Sequence, residues 1–169
     1  MAVHTIDLPT GDAMPTVSHL CKETLGYQIH TNRELGMMLL GQKPLAVFSD
    51  VEGRYPTSLL RYLRMFDRHV RTGRFVSREH REPLAVPGNQ RVLLTIFYAL
   101  PHEVWRIDSM IDLRHNLSAW TPEHERMEGE LLGYTTDQND IWIRSGYAKR
   151  MAGSKNDESL NPTWPSGAP

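Results

Sequence analysis

An α+β fold, an antiparallel β-meander of three to four strands with helices packed mainly on one face, is the architecture this sequence predicts. Three observations carry it. Leu59, Leu63, Phe66 and Val70 recur at helical spacing and fall within roughly 60° of one another at about 100° per residue. Residues 92–100 are strongly apolar on both faces, as expected of a strand buried on both sides. Residues 104–114 alternate apolar and polar, the period of a half-buried strand.

The chain has 169 residues, which suits one domain and buries roughly 70% of the unfolded surface without staples. Cys21 is the only cysteine, so no intrachain disulfide forms and a reducing, cytoplasmic setting is expected. Residues 1–12 carry neither a basic nor an apolar run, so no signal peptide is expected, and no apolar stretch is long enough for a membrane span.

Residues 1–16 read as an irregular N-terminal arm, interrupted by Pro9, Gly11 and Pro15. The single α+β domain then covers residues 17–145. Ser18 caps a short helix through Thr24, ended by Gly26. Thr31 and Glu34 have capping-box spacing before a helix carrying Leu35, Met38 and Leu39, which Gly41 closes. Residues 44–49 form a short buried strand at one sheet edge.

Thr57 or Ser58 caps the next helix, and Gly73 ends it. Three strands follow: 74–82, 91–100 and 104–114. Val86-Pro87-Gly88-Asn89 joins the first two as a type II turn, and residues 101–103 connect the last two. Thr121-Pro122 opens a helix with a cap and an N1 proline. Leu132-Gly133-Tyr134 ends it, repeating Leu25-Gly26-Tyr27, with glycine at the left-handed position after each helix. Thr135 and Gln138 cap a last short helix, and residues 146–169 read as a disordered tail. The core should comprise Leu59, Leu63, Phe66, Val70, Leu93, Ile96, Phe97, Trp105, Ile107 and Ile111.

Charge is segregated. Residues 54–81 hold eight arginines against Asp67 and Glu79, a net +6 in a chain of net −1. Residues 121–140 hold six acids against Arg126. Arg61, Arg64, Arg68 and Arg71 are spaced 3, 4 and 3, one stripe on a helix opposite its apolar side, and Arg74 and Arg78 extend it. Guanidinium forks chelate carboxylates and phosphates. The stripe therefore points to a small binding or regulatory protein, of the kind bacteria and phages use as accessories, whose partner is an acidic protein or a nucleic acid. A solvated face without a partner is the plain alternative. The basic 54–81 and acidic 121–140 segments also allow homo-oligomerisation.

A small enzyme is the other functional class. If Leu100 pairs with Val104, then Tyr98, Arg106, Asp108, Asp112 and Arg114 share one face of the 104–114 strand. There Asp108 or Asp112 serves as acid or base, His115 assists, and Tyr98, Arg106 and Arg114 line an anion pocket. The same row is otherwise a ladder of solvated ion pairs. No metal or cofactor is expected: zinc-type spacings and phosphate-binding glycine loops are missing, and His124 with Glu128 makes half a metal site at most.

Overall fold

A computed structural model describes residues 26–86, 89–115 and 120–147. Its described elements run α1 (Glu34–Leu39), β1 (Leu45–Val51), α2 (Thr57–Arg71), β2 (Val76–Val86), β3 (Asn89–Ala99), a 3₁₀ turn (Pro101–Glu103), α3 (Trp105–His115), α4 (Pro122–Leu131), α5 (Thr136–Ile141) and a π-helical turn (Trp142–Tyr147). The fold is α+β with one antiparallel sheet of order β1-β3-β2. The arm, the 18–24 helix, Cys21 and most of the tail lie outside the described residues.

β3 is the central strand, as its apolar character on both faces demands. Leu45 pairs with Ala99 on one side, and Val76 pairs with the same Ala99 on the other. Val86 opposite Asn89 leaves a two-residue connection, residues 87–88, whose own conformation lies outside the described residues.

Alternate residues of β1 and β3 feed two cores. Ala46, Phe48, Ile96 and Tyr98 meet α1 and α2, where Leu35, Met38, Leu63 and Phe66 are buried. Leu45, Phe97 and Ala99 meet Ile107, Met110 and Leu113 of α3 and Leu131 of α4. Helices thus serve both faces of the sheet rather than mainly one, since a strand apolar on both sides needs cover on both.

The segment 104–114 corrects a sequence expectation. It is helix α3, not a third meander strand. Its alternation also satisfies a helical period: Ile107, Met110 and Leu113, three residues apart, are the buried set. Pro101 starts the turn that leads into it, a helix-opening signal in what reads as a mere connection. The pairing of Leu100 with Val104, and the shared strand face of Tyr98, Arg106, Asp108, Asp112 and Arg114 that rested on it, therefore do not exist. Trp105, expected in the core, is 54% exposed.

Two caps also differ. Arg33, not Thr31, is the N-cap of α1, and the orphan N–H of Leu35 is satisfied by the Tyr62 hydroxyl at 3.0 Å. Pro56 precedes α2, so Thr57 and Ser58 lie inside the helix. The capping boxes at Thr121 and Thr135 form, the first with His124 as its N3 partner. Gly73 ends α2 at φ +72°, the left-handed conformation that only glycine adopts without cost. Gly129 matters through close approach instead. A Cβ there would lie 1.9 Å from Asn139 Oδ1, so α4 and α5 approach as closely as they do only because it has none.

Candidate functional site

α2 lays its apolar side on Phe48, Phe75 and Tyr98 and turns its arginines outward. Arg61, Arg64, Arg68, Arg71 and Arg74 are all exposed. None of the five has an acidic partner among the described residues; Arg64 only donates back to the Leu60 carbonyl, at 3.3 Å. The four on α2 span roughly 15 Å of helix. Leu60 and Met65, 43% and 45% exposed, flank the row on either side. Arg78 departs from it: it lies on the opposite face of β2 and is ion-paired with Asp108. Arg81 is held by Glu52 and Glu79.

Beside the arginine row runs a groove. α2 packs on Phe48 of β1 and on Ile96 and Tyr98 of β3, and space remains between it and Ser77 and Glu79 of β2. The cavity of about 330 Å³ between them is lined by Leu60, Leu63, Arg64, Asp67, Ser77, Glu79, Ile96 and Tyr98. At its floor the Tyr98 hydroxyl donates to Asp67 Oδ1 at 2.8 Å; burial and that carboxylate raise its pKa far above the ordinary value. The two tyrosines near the arginines point inward. Tyr55 donates to the Leu94 carbonyl at 2.5 Å, and Tyr62 to Glu34 Oε2 at 3.0 Å.

The pocket expected over strand 104–114 does not assemble. Tyr98 lies on the α2 side of the sheet. Arg106 lies on the other side, bonded to Glu103 at 2.6 Å and to the Glu130 carbonyl at 2.8 Å, with its guanidinium over Trp105. Arg114 is paired with Glu128 at 2.6 Å. Asp108, Asp112 and His115 do share one side of α3, since offsets of four and seven residues fall on one helical face. Asp108 faces Arg78 and His115 faces Glu82 of β2, and none of the three lines the groove beside α2.

His124 and Glu128 form no half-site: His124 Nδ1 accepts from the Thr121 N–H at 3.2 Å, and Glu128 holds Arg114. The acidic segment is partly used within the chain. Glu125, Glu128 and Asp140 all have partners, leaving Glu123, Glu130 and Asp137 exposed.

One buried ionisable pair has no forewarning in the sequence. Lys43, only 3% exposed, donates to the Leu132 carbonyl at 3.1 Å and to His30 Nδ1 at 3.3 Å. His30 stacks on Tyr134, with ring centroids 3.9 Å apart. Burial and the Lys43 charge lower the His30 pKa to about 4, and burial lowers that of Lys43 to about 8. A neutral imidazole is what the ammonium needs as acceptor, so the two shifts describe one arrangement. It staples the residues before α1 to the end of α4.

Comparison with known proteins adds no family: no family model, no curated protein and no solved structure matches this chain. No helix among the described residues is long and apolar enough to cross a membrane.

Proposed function

We propose that this protein is a binding module that grips an acidic segment of a partner protein across α2, acting by occupancy rather than turnover. The carrying observation is the row Arg61, Arg64, Arg68, Arg71 and Arg74, exposed and without an acid among the described residues, while Arg78, Arg81, Arg106, Arg114 and Arg126 are all paired.

Three features favour a protein over a nucleic acid. Leu60 and Met65 give the row apolar flanks, and arginine with methionine is the enrichment of protein interfaces. The adjoining groove has room for an apolar side chain from the partner. Tyr55 and Tyr62 are turned inward, so no aromatic platform beside the row is offered to single-stranded bases. A second copy is the weaker partner, because half of the 121–140 acids are already engaged. The single cysteine suits a cytoplasmic setting for this role.

Anisotropy titrations with a fluorescent Asp/Glu-rich peptide carrying one leucine, and with a DNA duplex, test the reading. The peptide should bind, Arg64→Glu/Arg68→Glu should abolish binding, and Leu60→Ala should weaken it. Tighter binding of the duplex, with a steep salt dependence, would replace the protein partner with a nucleic acid. A salt-sensitive apparent mass would point to self-association.

A further inference from the structure

On the other face of β2 a second arrangement stands apart from the arginine row. Arg78, His80 and Glu82 are alternate residues and project to one side of the strand. That side meets α3. At one end of the seam Arg78 is ion-paired with Asp108. At the other end three donor groups converge. Glu82 Oε1 lies 3.3 Å from His80 Nε2 and 3.2 Å from His115 Nε2. The donor atoms of all three residues lie within 4.8 Å of one another. The imidazole rings stand 5.3 Å apart and nearly perpendicular, at 88°.

These separations resemble a ligand set more than a hydrogen-bonded pair. In a tetrahedral centre with bonds of ~2.1 Å, neighbouring ligand atoms stand ~3.4 Å apart. His80 Nε2 is buried and makes no hydrogen bond, although the Glu82 oxygen is so near. An orphaned, buried ring nitrogen is costly unless something else satisfies it. A cation held between these atoms would do so, and would also turn the crowding of two imidazoles around one carboxylate into attraction.

We propose that His80, Glu82 and His115 bind a divalent first-row metal ion, with Zn²⁺ the best match. Two imidazoles and one carboxylate are too rich in nitrogen and too poor in oxygen for Ca²⁺ or Mg²⁺. Three protein ligands leave a coordination position open, the pattern of sites that hold water or an exogenous ligand. His115, with its side chain 51% exposed, marks the solvent side. The ion would also tie the end of α3 to the middle of β2, joining elements that no short spacing motif connects.

The test uses the untagged full chain, stripped with EDTA and titrated with Zn²⁺ by calorimetry and with Co²⁺ by visible absorption. One equivalent of Zn²⁺ should bind and raise the melting temperature, and Co²⁺ should give the d–d bands of a low-coordinate nitrogen-ligated centre. His80→Ala should weaken binding at least tenfold. So should His115→Ala, whose exposed position at the helix end leaves the fold intact by circular dichroism. His102→Ala, at an exposed histidine outside the cluster, should bind as wild type. No binding by the wild-type chain, or undiminished binding by His115→Ala, would overturn the proposal. Arg64→Glu/Arg68→Glu should bind the metal normally, so failure of the arginine reading and failure of the metal reading are separable.

Discussion

Helices α2 and α3 lie on opposite faces of one sheet and use their charges in opposite ways. α3 spends them inward: Asp108 on Arg78, Arg106 on Glu103 and the end of α4, Arg114 on Glu128. α2 keeps four guanidiniums bare. Both helices bury apolar residues against the same central strand, so what separates them is the outer half of each. Partnered charges fix how neighbouring elements sit. Unpartnered ones of a single sign raise the cost of leaving the face empty and lower the cost of bringing an anion to it.

The comparison breaks first if the two faces differ in their cores. Phe66→Ala and Met110→Ala each remove a fully buried side chain, one per face, and should cost about 3–5 and 2–5 kcal/mol in urea unfolding. Loss from one alone would mean that the other face contributes little.

Acid tests the staple between the start of α1 and the end of α4. His30 has a folded pKa near 4 against an ordinary 6.5, so the unfolded chain takes up this proton first. The stability present above about pH 6.5 should fall progressively as the pH drops toward 4, by roughly 1–3 kcal/mol. His30→Gln should flatten that part of the pH–stability curve.

Smaller effects sharpen the contrast between the arginines. Arg106→Ala leaves the Glu130 carbonyl without this donor and uncovers Trp105, for about 1–2 kcal/mol in the same urea assay. Arg64→Ala/Arg68→Ala should leave the urea midpoint unchanged within scatter while weakening capture of the acidic peptide. A destabilised double variant would mean that α2 uses its arginines as α3 does.

Sequence and structure agree where one period dominates. The apolar and basic sides of α2 are far apart on the helical wheel, and β3 from Val92 on is apolar but for Thr95, so both elements are legible. α3 is open to misreading because residues 104–114 satisfy both a two-residue and a three-to-four-residue period, and Trp105 imitates a core residue. The arginine row is legible because it depends on one helix alone. His80 and Glu82 are two apart on a strand whose existence the sequence does predict, so part of the cluster of His80, Glu82 and His115 is within reach. His115 joins them only through the packing of α3 on β2, and Lys43 meets His30 only through the path of a loop; neither leaves a local signal.

Glu125 has an optical consequence. This buried carboxylate receives the indole N–H of Trp142 at 2.6 Å and that of Trp120 at 2.5 Å, clasping two of the four tryptophans. Trp105 stands more than half in solvent against Arg106. Among the three described tryptophans, a soluble quencher therefore reaches Trp105 before the half-buried Trp120 and Trp142. Among these three, the emission of the carboxylate-bonded pair follows the closure of α4 on the 142–147 turn, and that of Trp105 follows the start of α3.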